Sequence, residues 1–461
     1  MPAGAARASL PAVARGASRE AGAFLAPDAD ALFSGLDLAG RRHVVIAVSG
    51  GSDSLALLIL FRRFLQSAGS AVVPVAVTVD HGLRPESAAE AGRVAGIAAR
   101  LGVAHRILTW EGAKPATGVA AAAREARHAL LAQAAGEAGT DLVLTGHTLD
   151  DQAETLAMRQ TRGGGRGEAG IAPATLHAWA CWFVRPLLGA RRAALRAFLS
   201  TLGQAWIDDP SNRNMAQERA RMRAGLGDAE IVRLADAAAA AGRRRVALGQ
   251  KAAAVIGGVA RMPVPGLIRL DRAGLLQADD EAALYALRIL LACTGGREQL
   301  PDAARAAAML ERIAGINFRA TLSRSVIDAR RQAVYLLRER RGLPAPRPLG
   351  PGLWDGRYRI GAGAGGLVAA GGHMAESPAA VPPPLAEAAS ATRPVRLLAD
   401  GGRSFLDIAD GPGAAAARPV VAPWARYLPC FDLAAADAAA ALLGSAPVPL
   451  PPFRRHNDRS A

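Results

Sequence analysis

Residues 49–54, Ser49-Gly50-Gly51-Ser52-Asp53-Ser54, have the types and order needed to grip a phosphate. Adjacent glycines admit positive φ and let the backbone approach an oxygen closely. The hydroxyls of Ser49, Ser52 and Ser54 add donors, and Asp53 adds a carboxylate able to hold a divalent cation. A second polar group is Gly146-His147-Thr148-Leu149-Asp150-Asp151-Gln152-Ala153-Glu154-Thr155. Asp150 and Glu154 are four apart and Asp151 and Glu154 three apart, so on a helix they are neighbours. Capping that helix needs one acid, not three. His147 offers a hydrogen-bonding ring beside them. Arg124 and Arg127, three apart on a predicted helix, suit a phosphate or nucleotide. Arg219, Arg221 and Arg223 alternate in a third polar run and suit phosphate contacts. Asp80, in Asp80-His81-Gly82-Leu83-Arg84, is grouped with the nucleotide-binding residues.

The elements that must carry these residues alternate. His43–Val48 reads as a buried strand, and Leu55, Leu58 and Ile59 recur at helical spacing after the glycines. A strand, a tight turn and a helix start form an anion site, because free N–H groups and the helix dipole meet there. No Gly-Lys-Ser/Thr follows, so this is not a Walker A loop. Further strands are predicted at Ala71–Val79, Val103–Thr109, Asp141–Thr145 and Trp182–Val184, and helices at Glu86–Leu101 and Gly118–Glu137. Such alternation predicts an α/β fold, a doubly wound parallel sheet with its ligand beyond the strands' carboxyl ends. Every polar cluster above, bar the arginine run, lies at such an end.

A lead-in helix is expected at Leu32–Leu38 and another helix at Arg191–Leu202. The glycine-rich Thr161–Gly170 reads as a mobile active-site loop or a surface linker. Trp206-Ile207-Asp208-Asp209-Pro210-Ser211-Asn212 is a turn and cap signal. Residues 228–312 read as helical, 316–338 as more strand-like, and 361–384 as loose. The expected division is a disordered leader over 1–30, a catalytic domain over 31–225, a helical domain over 226–342 and a small, partly loose α+β C-terminal region over 343–461.

The chain of 461 residues carries a net charge of +15, almost all of it arginine, since Lys114 and Lys251 are the only lysines. That excess implies an acidic partner, nucleic acid first. Cys181, Cys293 and Cys430 stand far apart, which argues against a zinc site, an iron–sulfur cluster or a disulfide framework. No apolar run of about 18 residues predicts a membrane span, and the Ala- and Arg-rich first 28 residues lack the apolar core of a secretory signal.

The loop at 49–54 resembles the SGGxDS loop of the ATP pyrophosphatases, which cleave ATP between its α and β phosphates. SGGSDS (49–54), DHGLR (80–84), AAREARH (122–128), GHTLDDQAET (146–155), RPLL (185–188) and WIDDPSN with ERARMR (206–223) occur in one order. That set resembles the tRNA(Ile)-lysidine synthase family, well over about residues 40–225, loosely over 228–340, and beyond that only at Trp354-Asp355-Gly356-Arg357. The resemblance implies an adenine nucleotide α hydrolase-like fold and a cytoplasmic ligase. Its substrates would be ATP with Mg2+, L-lysine and a tRNA(Ile) with a CAU anticodon. ATP adenylates the C2 carbonyl oxygen of the wobble cytidine, pyrophosphate leaves, and the amine of lysine attacks C2 and displaces AMP to give lysidine.

On this reading Ser49–Ser54 and Asp80 hold ATP, and Asp53 is the metal ligand. Asp53, Asp150, Asp151, Glu154, Arg124 and His147 form the catalytic group. Arg127, Arg219, Arg221 and Arg223 contact tRNA. The acids would hold the lysine cation and take a proton from its ε-amine, whose unperturbed pKa is about 10.4. His128 departs from the family's usual Tyr, and Arg162-Gly163-Gly164-Gly165-Arg166 from its usual RGSG. A homodimer is admitted, with no membrane contact. A tRNA thiolase of the same superfamily is the alternative enzyme, but it would be expected to show catalytic cysteines near the site. A non-catalytic RNA-binding protein is the alternative from another class, and the intact acids argue against it.

Overall fold

The computed structural model describes residues 27–453, apart from 164, 209–214, 217, 363–364, 373–376, 400, 407–415 and 422. Most of the expected leader and most of the Asp-Asp-Pro-Ser-Asn signal therefore lie outside the described residues.

The central strands of the first sheet are runs of β-branched and apolar residues buried on both faces, whereas the edge strand at residues 104–109 is part-exposed. Strands β1 (His43–Ala47), β2 (Val73–Asp80), β3 (Ala104–Thr109), β4 (Leu142–Leu144) and β6 (Cys181–Val184) are parallel. Strand β5 (Ala174–His177) runs antiparallel to β6. The spatial order is β3-β2-β1-β4-β6-β5, closed at the far edge by a strand from much later in the chain, Tyr427–Pro429. Helices α1 (Ala29–Phe33), α2 (Ser52–Ser67), α3 (Ser87–Arg100) and α4 (Val119–Glu137) come in turn, followed by α5 (Leu149–Gln160) and α6 (Arg192–Thr201). Two core clusters, one holding Val44, Ile46 and Leu55–Leu60 and the other Val45, Val143 and Phe183, cover the two faces of β1. The doubly wound reading holds, and β1 stands between β2 and β4 where the winding reverses. Such switch points open a crevice at the carboxyl ends of the strands.

After α7 (Glu218–Gly225), helix α8 (Asp228–Val259) spans 32 residues and packs against α5. A five-stranded antiparallel sheet follows, in the order β7-β8-β11-β10-β9, from β7 (Ala260–Val264), β8 (Leu267–Asp271), β9 (Phe318–Leu322), β10 (Ser325–Ala329) and β11 (Ala333–Arg338). The β7–β8 hairpin corrects the all-helical reading of 228–312. Pro263 and Pro265 cannot continue a helix, and Gly266 turns at φ +85°. Helices α9 (Arg272–Gln277), α10 (Asp280–Gly295) and α11 (Ala303–Gly315) complete this part. Four short strands and three short strands then form two small sheets. They flank α12 (Pro383–Ser390), and α13 (Leu433–Leu443) ends the described helices. Among the described residues no helix is long and apolar enough to cross a membrane.

Candidate active site

The turn after β1 is shaped by close packing. Gly50 sits at φ +87°, and a Cβ there would stand 2.7 Å from Ile207 Cδ1 and 2.9 Å from Val94 Cγ2. Only glycine combines that backbone angle with that clearance. Ser54 Oγ donates to the Gly51 carbonyl at 3.1 Å and accepts from Ser49 N at 3.1 Å, so the loop is tied to itself. Gly51 is the N-cap of α2 and contributes no side-chain cap, which leaves first-turn N–H groups open to a ligand. The β4 loop closes on this turn: a Cβ on Gly146 would lie 2.9 Å from the Asp53 carbonyl oxygen.

Helix α5 begins differently. Thr148 is its N-cap in a capping box, with Asp151 Oδ2 accepting from both Thr148 N and Thr148 Oγ1 at 2.8 Å. The three acids divide their work. Asp150 Oδ2 accepts from the Arg192 backbone N at 2.7 Å, fixing the start of α6. Asp151 uses one oxygen for the cap and the other for Arg192 and Arg219, at 2.9 and 2.8 Å. Glu154, only 2% exposed, accepts from Arg192 (3.1 Å), Arg219 (2.8 Å) and Arg223 (2.7 Å). Arg192 also reaches Asp53 Oδ2 at 3.0 Å, so one guanidinium joins the glycine loop to α5.

These contacts set the charges. Burial pulls the Asp151 and Glu154 carboxyls upward, but their arginine partners and, for Asp151, the Thr148 donors win, holding both below the ordinary range. At Asp53 burial wins over Arg192 and the pKa is raised. Burial, followed by the charges of Arg185 and Arg127, holds His147 well below its usual pKa, so its ring is neutral. Its Nδ1 lies 3.1 Å from Thr145 Oγ1. Burial, with Arg124 and Arg219 nearby, brings Arg127 down to about 10, so it stays cationic at neutral pH.

Ser49, Gly51–Ser54, Arg124, Arg127, His147, Asp151, Arg192, Arg219 and Arg223 line one cleft of about 310 Å³ at the carboxyl ends of β1 and β4. An anionic nucleotide suits this lining, where cations outnumber the carboxylates Asp53, Asp151 and Asp208. Among the described residues no group of three or more His, Cys, Asp or Glu side chains could hold a metal. Asp53 alone at the phosphate loop still fits magnesium, which commonly takes one or two carboxylates together with substrate phosphates.

Comparison with known proteins gives the family. The PP-loop domain family matches residues 22–230. Three relatives are each named tRNA(Ile)-lysidine synthase. The one from Mesorhizobium japonicum is 47% identical over 92% of this chain and 97% of its own length. The one from Rhizobium meliloti is 38% identical over 89% and 94%, and one from Brucella melitensis is 39% identical over 71% and 76%. The chain belongs to the tRNA(Ile)-lysidine synthase family. It is an ATP-dependent ligase with a PP-loop nucleotide site.

The cleft of this synthase-family chain gathers most, but not all, of the residues picked out in the sequence. Gly50 shapes the loop from behind, and Asp150 and Glu154 brace the cleft through arginines. Asp80 lies at the end of β2, where its Oδ1 accepts from Gly82 N at 2.8 Å, and it does not line the cleft. Arg221 faces away and donates to the carbonyls of Met215 and Ala216 at 2.9 Å. Arg219 and Arg223 turn inward to the acids. His128 is buried, with Nδ1 2.7 Å from the Arg124 carbonyl, and burial pushes its pKa down to about 3.

Arg192 and Arg196 were missed. Arg196 reaches Ser52 Oγ at 3.3 Å and Asp208 at 3.1 Å. Their spacing of four at the start of a predicted helix was the available signal. The glycine-rich segment forms a 3-10 turn at Gly165–Ala169. Arg159 donates to the carbonyls of Gly167 and Gly170, and Gln152 exchanges two hydrogen bonds with Ile171.

Proposed function

We propose that this chain adenylates the C2 carbonyl oxygen of the wobble cytidine in a tRNA(Ile) with a CAU anticodon, releasing pyrophosphate, and joins free L-lysine to C2 with loss of AMP. The observation that carries this reading is the cleft at the switch point. There an uncapped helix start, Asp53 and the arginines converge, in a chain that matches its lysidine synthase relatives over nearly its whole length.

The loop Ser49–Ser54 and the first turn of α2 take the phosphates of ATP that leave as pyrophosphate. Asp53 would hold Mg2+ together with those phosphates, and the cation offsets their charge as they leave. Arg124 and Arg127 face the same space and orient the nucleotide and the cytidine, with neutral His147 available as a hydrogen-bonding partner. Asp151 and Glu154 bind lysine's ammonium in exchange for part of their arginine partnership, and a carboxylate then takes the proton that the ε-amine must lose before attack. The setting is the cytoplasm, where tRNA, ATP and lysine are available.

The test is incubation of the purified protein with the tRNA(Ile)(CAU) transcript, ATP, magnesium and labelled lysine. Label enters the tRNA with the wild type and not with Asp53→Ala. Absence of label in the wild-type reaction overturns the proposal.

A further inference from the structure

A second and larger cavity, of about 710 Å³, lies behind the catalytic cleft and meets it at Arg124, which lines both. Its walls are the glycine-rich turn at 165–169, α8, α10 and the strand Tyr427–Pro429 with the residues after it. It is within the size range of sites that enclose small ligands.

Its charge is unbalanced. Arg159, Arg185 and Arg288 line it together with Arg124, and none of the four forms an ion pair with a carboxylate among the described residues. Arg159, Arg185 and Arg288 donate to backbone carbonyls instead. The acids on the walls do not answer them. Asp432 is taken by Arg166 and Arg245, at 2.8 and 2.5 Å, Glu125 is exposed and pairs with Arg426, and Glu298 is exposed. Donors are also left over. Arg185 is 4% exposed and its Nε has no partner, and neither do Arg166 Nη1, Trp424 Nε1 or Tyr427 Oη. Arg185 is a buried cation without an anion, Arg159 and Arg288 are half-buried, and Arg124 is exposed. A buried cation without an anion, and buried donors without acceptors, are costly unless a ligand completes them.

We propose that this second cavity seats the phosphodiester backbone of the RNA strand next to the reacting base. The inference rests on the proposed tRNA substrate. Phosphates satisfy several guanidinium groups at once, and Arg adds bidentate geometry to charge. Trp424, half-buried on the cavity wall, supplies an aromatic side chain for a neighbouring base, while the rings of Tyr427 and Phe431 already pack against Arg426 and Arg245. Arg124 then links the two spaces, so that an RNA strand in the larger one delivers its base to the nucleotide in the smaller.

The test compares wild type, Arg288→Gln and Arg288→Lys, with tRNA(Ile)(CAU) transcript as the RNA probe. Binding is measured across salt concentrations, and KM for lysine and for ATP is measured beside it. Arg288→Gln is expected to weaken RNA binding about tenfold and to reduce the slope of log K against log salt by about 0.7, the value for one single-strand phosphate contact. Arg288→Lys restores the slope, and KM for ATP stays the same. Unchanged RNA affinity and slope overturn the inference. So does a rise confined to KM for lysine, which would assign the cavity to the amino acid's carboxylate. If wild type binds the transcript but incorporates no lysine, the proposed reaction falls while the salt slopes still decide the cavity. If wild type binds no RNA, both fall.

Discussion

Asp53 is held in the folded protein at a cost that its neighbours do not remove. Burial raises its pKa in spite of the Arg192 contact. A group whose folded pKa exceeds its unfolded one favours folding fully below the unfolded value, and that contribution is lost as pH rises through the folded value. The ionised Asp53 therefore opposes folding at neutral pH. Asp53→Asn is expected to raise Tm at pH 7, with the gain vanishing below about pH 3.8, the ordinary value for Asp, while lysine incorporation is abolished. Thermal melts across pH check this, and a Tm at pH 7 equal to or below wild type refutes it. Asp151 and Glu154 have the opposite sign: their lowered pKa values contribute stability at neutral pH that is lost as pH falls through the folded values. The sequence revealed these acids because their spacing is local. It did not reveal that Arg192, 139 residues from Asp53, would join them, since nothing local encodes that meeting.

At the scale of elements, α7 shows what alternate spacing means on a helix. The sequence groups Arg219, Arg221 and Arg223 as one set of phosphate contacts. In the structure, Arg219 and Arg223, four apart, share the face toward α5, and Arg221 points the other way. The helix has eight residues and buries only Ala220, so neither its length nor an apolar face explains its place. Its ion pairs are what remain: Arg219 and Arg223 to Asp151 and Glu154 of α5, and Glu218 to Arg162. Arg219→Ala with Arg223→Ala is expected to release α7, lowering amide-exchange protection over 218–225 by roughly fivefold or more, as losing about 1 kcal/mol would. Arg221→Ala should leave that protection unchanged. Equal protection in all three proteins would mean that packing, not charge, docks the helix. The central parallel strands, by contrast, are legible because both faces are apolar, and the alternation with helices marks the rest. Strand β5 escaped notice because it is four residues long and antiparallel.

Across the whole molecule, chain order and spatial order part company in the last hundred residues. The sequence marks 343–461 as a small, partly loose α+β region, with 361–384 rich in Gly, Ala and Pro. Yet Tyr427–Pro429 completes the edge of the catalytic sheet beside β5, and Ala435, Ala436, Ala439 and Ala440 of α13 belong to the same core cluster as Val44 and Leu55. Asp432 anchors Arg166 of the glycine-rich turn and Arg245 of α8 from this same stretch. An alanine-rich helix hides such a role from sequence reading, because small side chains give a weak periodic signal while allowing close approach to α8. Cutting the chain after residue 342 would bare the β5 edge, strip the apolar cover from α8 and leave Arg166 and Arg245 without their carboxylate. Unpaired edges and open apolar faces favour aggregation. A protein ending at residue 342 is expected to lose its cooperative thermal transition and to fall out of solution, although every residue lining the catalytic cleft is retained. A soluble truncated monomer with a sharp melt would show that the catalytic sheet stands without its last strand.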